Sequence, residues 1–268
     1  MSEVSLSQKS IDVLFVINDL GFANATQIQD ILAISEKTVR VCIQNLLVAK
    51  AIVKVGYPSV PQFHPLRGLY YACTSYSICK SVLGEAFSLK KTYSSIFAHT
   101  FSGTSTPGII FSKASSGKGK VTERKLSLHS GLVNYCSAWV IKTARERIGW
   151  NFSFEGERII RNVRKWHYGR ISSLADKSKG SAIPVPDFLL LKDSRILCCE
   201  VELFPKSQER YQEYYDHIDP NFSILYLVPH PDVATTILSK IPSGFRVGYC
   251  VISDSDTLCE ELIDLLPY

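Results

Sequence analysis

The eight cysteines, at positions 42, 73, 79, 136, 198, 199, 250 and 259, include no C-x-x-C pair. Their scatter argues against a zinc ribbon and against the disulfide framework of a small secreted domain. Cys198 and Cys199 sit side by side in an apolar run and read as buried strand filler. No apolar stretch comes near the ~18 uncharged residues that a membrane span needs, so no membrane association is expected. The opening segment, MSEVSLSQKSIDVLFVIND, lacks a basic n-region ahead of a clean apolar run and does not read as a signal peptide. A reducing cytoplasm is the expected compartment. Also missing are G-x-x-x-x-G-K-S/T, G-x-G-x-x-G and any Ser-His-Asp ordering, so nothing points to a P-loop, a dinucleotide fold or a serine triad.

What is present is an ordinary globular composition, 46% apolar and 21% charged over 268 residues. That length suffices for one large domain or two ordinary ones. The net charge of +5 conceals an uneven distribution. Residues 1–85 carry 7 basic and 6 acidic side chains (+1), residues 86–180 carry 17 and 5 (+12), and residues 181–268 carry 6 and 14 (−8). A basic middle attracts phosphates, and an acidic end gathers cations. A metal-dependent protein acting on a polyanion needs both, although two solvated faces of opposite sign would give the same sums.

Residues 1–85 predict three helices and a β-hairpin. SQKSIDVLFVIND places Ile11, Leu14, Phe15 and Asn18 on one helical face. After a break at Gly21, Asn24 or Thr26 can cap a short helix. Ser35 caps a third, with Glu36 in its first turn and Val39, Ile43, Leu46 and Leu47 facing inward. Two alternating segments, AIVKVGYPS and GLYYACTS, follow around a Pro-rich loop. Short helix, turn, longer helix and hairpin make a winged-helix DNA-binding domain. Lys37, Thr38, Arg40 and Gln44 would meet the major groove, with Lys54, His64 and Arg67 in or beside the wing. A near-neutral charge leaves dimerisation or protein docking as the competing role.

Residues 86–124 read as a basic linker region. The run SGTSTPGIIFSKASSGKGKVTER within it is rich in Ser, Gly, Thr and Lys, and is either a plain tether or a segment lying along a phosphate backbone. From 125 to 268 the pattern becomes α/β. A long helix shows Leu128, Leu132, Tyr135 and Trp139 on one face, and WNFSFEGERII reads as a strand. IPVPDFLLLKDSRILCCEVELF then gives a hairpin around Lys-Asp-Ser. A helix carrying Tyr211, Tyr214 and Tyr215 follows, then a strand, a helix and a strand. The expected fold class is α+β: a winged helix plus a C-terminal α/β domain built on a mixed sheet.

The sharpest motif is Pro186-Asp187, followed 13 residues on by Glu200-Val201-Glu202 and then Lys206. Residues i and i+2 of a strand share a face, so Glu200 and Glu202 emerge together, and Asp187 can meet them across the hairpin. Such a cluster is costly unless a cation neutralises it. Hard oxygen ligands suit Mg²⁺ or Mn²⁺, which can orient water and stabilise charge on a phosphodiester.

A PD opening a hairpin, an acidic-x-polar triplet and then a helix resemble the PD-(D/E)xK nuclease superfamily. Glu202 stands where that superfamily usually has Lys, with Lys206 four residues further on. The E-x-E-x-x-x-K variant comes together with an N-terminal winged helix and an upstream L-x-L-H (Leu126-Ser127-Leu128-His129, then Val133-Asn134). Together these resemble MobC-type plasmid relaxases and related replication-relaxation proteins. The resemblance implies a sheet of restriction-endonuclease type and site-specific nicking of DNA at a plasmid or mobile-element origin. It assigns Asp187, Glu200 and Glu202 to the metal and Lys206 to the phosphate or nucleophile. His129 becomes a supporting residue, and Glu155, with Glu157 as its alternative, a fourth carboxylate. His129 as a structural residue, and Glu155, Glu157 and Lys206 as solvated charges, are the bland alternatives. No pair of neighbouring histidines supports the histidine-cluster metal site of the commonest relaxases. With 13 tyrosines a tyrosyl nucleophile stays open, although Tyr211, Tyr214 and Tyr215 fit a packed helix face better. The implied partners are double-stranded DNA, with single-stranded DNA and relaxosome or replication proteins as further candidates. The rival functions are a non-catalytic initiator, regulator or relaxosome accessory, a restriction, repair or transposon-type nuclease, and a protein-interaction adaptor.

Overall fold

The computed structural model describes residues 6–56, 69–73, 81–82, 109–113, 121–125, 128–156, 186–193, 195–216 and 218–266. By its internal contacts the chain divides into two units, Met1–Ala138 and Trp139–Tyr268. The division falls inside one long helix, 14 residues beyond the boundary at 125 read from composition. The described residues form an α+β protein with seven helices. None of these helices is long and apolar enough to cross a membrane.

The first unit opens with α1 (Gln8–Leu20), β1 (Ala23–Asn24), α2 (Ala25–Leu32) and α3 (Glu36–Val48). Ser7 caps α1 by accepting from Ser10 N, and Gly21 ends it at φ 80, in the region a Cβ disfavours. Asn24 caps α2 in a reciprocal box. Its Oδ1 accepts from Gln27 N at 2.8 Å while Gln27 Oε1 accepts from Asn24 N at 3.0 Å, so two orphan donors are satisfied together. Ser35 caps α3. Strands β2 (Ile52–Gly56) and β3 (Leu69–Cys73) pair antiparallel with Lys54 opposite Tyr71, and β1 joins the other edge of β3, giving the order β1-β3-β2.

The inward faces differ from the periodicity reading by a fraction of a turn. In α1, Val13, Leu14 and Ile17 are buried, whereas Ile11 and Phe15 are half-buried. In α3, Cys42 takes the inward place expected of Leu47. A small thiol fits where helices approach closely, and the larger Leu47 rides at the margin.

Two strands, β4 (Ile109–Lys113) and β5 (Val121–Lys125), form an antiparallel hairpin inside the stretch whose composition predicts a linker. The Ser, Gly and Lys around them mask the β-prone run Ile109-Ile110-Phe111. The long helix α4 (Leu128–Ile148) follows. Its buried apolar residues are Cys136, Ala138, Val140, Ile141 and Ala144, rather than the expected Leu132, Tyr135 and Trp139, which are half-buried. Within the first unit, Asn134 Nδ2 donates to Phe22 O at 2.7 Å.

The second unit is built on a mixed five-stranded sheet in the order β10-β9-β8-β7-β6. Strands β6 (Ser153–Gly156), β7 (Phe188–Lys192) and β8 (Arg195–Val201) run antiparallel. The chain crosses through α5 (Gln208–Tyr215) to β9 (Ser223–Val228), parallel to β8. It crosses again through α6 (Pro231–Leu238) to β10 (Arg246–Val251), parallel to β9. All six residues of β9 are buried, which is why the strand reads as an unbroken apolar run. A last helix, α7 (Ser255–Leu265), packs on β10 and β9 and is absent from the periodicity reading. Asp254 caps it by accepting from Thr257 N, and it buries Leu258, Leu262 and Leu265. Gly248 lets it approach, because a methyl there would meet the Glu261 carboxylate and the Leu265 side chain.

Candidate functional site

The antiparallel register of β7 and β8 pairs Phe188 with Cys199, so one step further along Asp187 faces Glu200. Asp187 Oδ2 accepts from Val201 N at 2.8 Å, which anchors this carboxylate at the end of β8. Glu200 pairs in register with Tyr226 on β9, and Glu202 continues the ladder by donating its N–H to Leu227 O at 3.0 Å. The β8 backbone thereby fixes both glutamates two residues apart on one face, as the i, i+2 spacing predicts. They lie at the carboxyl ends of parallel strands, the end of an α/β sheet where ligands commonly bind.

Glu200 and Glu202 are each only 6% exposed. Lys206 Nζ stands 2.6 Å from Glu202 Oε2. Charge attraction holds the pair. Glu200 Oε1 is buried with no hydrogen-bond partner. Burial first, then the nearby Asp187 charge, push the Glu200 carboxyl well above the usual carboxylate range, while Lys206 and the Tyr214 hydroxyl oppose the shift. Burial alone would lower Lys206. The negative field of Glu200, Glu202 and Asp187 outweighs it and holds the ammonium above the ordinary lysine range. These four side chains are one electrostatic unit.

Two tyrosines support this unit, from the helix face that the sequence reads as packed. The Tyr211 hydroxyl accepts from Lys206 N at 3.1 Å and so fixes the backbone that carries the lysine. The Tyr214 hydroxyl is buried beside Glu200 without completing a well-formed hydrogen bond. Tyr215 shares a 3.1 Å hydrogen bond with Tyr226. All three α5 tyrosines are buried, and burial raises each hydroxyl's pKa, the reverse of what activates a nucleophile. Their i, i+3, i+4 spacing is legible in sequence. Their hydrogen-bond partners are not, because those lie on the preceding loop and on a strand that follows.

Glu155 lies on β6 opposite Leu189, which pairs in turn with Cys198, so it shares the sheet face of Glu200 and is half-buried. Glu157 lies outside the described residues. His129 stands exposed in the first turn of α4, in the first unit. On α3, Lys37, Arg40 and Gln44 are exposed and Thr38 is half-buried. Arg40 pairs with Glu36 at 2.5 Å, and Thr38 Oγ1 shares a 2.8 Å hydrogen bond with the capping Ser35. Lys54 is exposed on β2, and His64 and Arg67 lie outside the described residues.

Among the described residues, no three His, Cys, Asp or Glu side chains are arranged as a metal-binding group. The donor chemistry of the cluster nevertheless fits a hard dication. It offers oxygen ligands from Asp187 and Glu200, mutual repulsion that a cation would relieve, and an orphaned carboxyl oxygen on Glu200. Glu202 is committed to Lys206. Comparison with protein-family models, with curated proteins and with solved structures finds no match to this chain.

Proposed function

We propose that the chain is a metal-dependent, site-specific DNA-nicking protein, relaxase-like, acting at the origin of a plasmid or mobile element. One observation carries this reading: Asp187, Glu200, Glu202 and Lys206 converge at the carboxyl end of β8 as a coupled acidic and basic unit with an unpartnered buried oxygen. The order α4-β6-β7-β8-α5-β9 supports a core of restriction-endonuclease type. The order α1-β1-α2-α3-β2-β3, with the sheet β1-β3-β2, supports a winged helix whose α3 presents Lys37, Arg40 and Gln44 to a duplex.

Asp187 and Glu200 would hold Mg²⁺ or Mn²⁺. Such an ion, when bound, lowers the pKa of a water and stabilises charge on the phosphodiester. Lys206, 41% exposed beside Glu202, would hold the scissile phosphate. Tyr211 keeps the Lys206 backbone in place, and the Tyr214 hydroxyl lies buried beside Glu200.

A second reading, a non-catalytic replication initiator or relaxosome accessory, is favoured by one observation: Lys206 already neutralises Glu202. The discriminating experiment is nicking of supercoiled DNA bearing the element's own origin, with and without Mn²⁺. Mn²⁺-dependent conversion to open circles, lost in Asp187→Ala and Glu200→Ala while duplex binding persists, is expected. Origin binding without nicking at any divalent concentration would leave the DNA-platform reading in its place.

A further inference from the structure

Away from the carboxylates, a cleft of about 250 Å³ opens at the amino ends of the three parallel strands. Arg195 from β8, Ser223 from β9 and Arg246 from β10 line it, with Asn221, Phe222 and the end of α7 at Leu265 and Leu266. The register explains the grouping. Ser223 pairs with Leu197 on one side and Arg246 on the other, and Arg195 lies two residues before Leu197, so both arginines project from the face that carries Ser223. Glu200, an odd number of residues from Arg195, belongs to the opposite face, about 17 Å further along β8 at ~3.3 Å per residue. The cleft is therefore separate from the carboxylate site.

Neither guanidinium has an ion-pair or hydrogen-bond partner among the described residues. Elsewhere on the same unit, by contrast, Arg147 pairs with Asp256. Two inter-strand spacings and a two-residue offset put the two arginine backbones roughly 12 Å apart, a span that two arginine side chains are long enough to bridge through a single oxyanion. Ser223 Oγ donates to Leu265 O at 2.6 Å and ties β9 to the end of α7 at the floor of the cleft. Two like charges held at one cleft repel, and an anion between them turns that repulsion into attraction. Planar forks of N–H donors match a tetrahedral oxyanion better than they match water.

We infer that the Arg195–Arg246 cleft is a phosphate-binding site. Its ligand is either a free phosphate or phosphomonoester, or the backbone phosphate of a nucleic-acid strand. This inference stands whether or not the carboxylate cluster is catalytic.

The test titrates inorganic phosphate into the full chain by calorimetry, with ionic strength held constant by chloride. Saturable binding is expected. Arg195→Gln and Arg246→Gln should each weaken it tenfold or more, while Arg210→Gln, at an exposed arginine of α5, should leave it within twofold, which separates this cleft from general surface charge. A parallel titration with a single-stranded 12-mer identifies the source. A tenfold loss of oligonucleotide affinity in the same glutamine variants assigns the site to a strand backbone, and an unchanged oligonucleotide affinity assigns it to a free phosphate or monoester. Absence of saturable phosphate binding overturns the inference. So do glutamine variants that bind phosphate like the wild type and lose only thermal stability, because the arginines would then merely serve the carbonyl end of α7.

Discussion

Glu200 is buried with one carboxyl oxygen unpartnered, between two further carboxylates and a single ammonium. Because its carboxyl is held well above its ordinary value of 4.5, the folded state binds a proton that the unfolded chain releases. The stabilising contribution is therefore complete below about pH 4.5 and is lost as pH rises towards the raised folded value. In metal-free protein, the urea midpoint of the wild type should fall between pH 5 and pH 8 more than that of Glu200→Gln. Parallel pH profiles for the two proteins would contradict this. Tyr211→Phe removes the acceptor of the Lys206 N–H, a change of about 1 kcal/mol in stability by the usual worth of such a bond. If Tyr211 positions the lysine for chemistry, the variant should lower the nicking kcat with little change in duplex Kd. A pure loss of stability with unaltered kcat would make it structural only.

The elements divide into those that were legible from residues and those that were not. The capping signals at Asn24 and Ser35, the hairpin around Asp193 and the alternation through β8 and β9 are local, and they match the structure. Asn24→Ala should destabilise the protein by about 1 kcal/mol in urea unfolding, since it opens both halves of the box on α2. The buried face of α4 is rotated from the expected stripe: Cys136, Val140, Ile141 and Ala144 lie inside while Leu132, Tyr135 and Trp139 are half-buried, because this helix is apolar on more than one side. Helix α7 was missed although Asp254 and the Leu258, Leu262, Leu265 spacing mark it. The hairpin β4–β5 was hidden by flanking Ser and Gly. For α3, Lys37→Ala should weaken duplex binding about uniformly across sequences and reduce the salt slope by about 1, whereas Gln44→Ala should relax preference at one base step. Equal affinity of both variants for all duplexes at all salt concentrations would remove α3 from the interface.

At the scale of the whole molecule, the site was more legible than the fold around it. Three carboxylates at positions 187, 200 and 202 converge because a hairpin and an i, i+2 step are short-range geometry. The lysine's engagement with Glu202, and the roles of Tyr211 and Tyr214, depend on how α5 lies against the sheet, which no local pattern encodes. The +12 charge of residues 86–180 falls largely outside the described residues, and its role is open to a direct test. DNA affinity should drop steeply between 50 and 200 mM salt, by on the order of 10³-fold or more for six phosphate contacts. The account's central claim, that the carboxylates share a cation, is tested most directly by titrating Mn²⁺ into the metal-free full chain and following free Mn²⁺ by electron paramagnetic resonance. Saturable binding in the wild type, weakened at least tenfold in both Asp187→Asn and Glu200→Gln, is the predicted result. Wild-type protein that leaves all the Mn²⁺ free, or variants that bind it as tightly as the wild type, would contradict the claim.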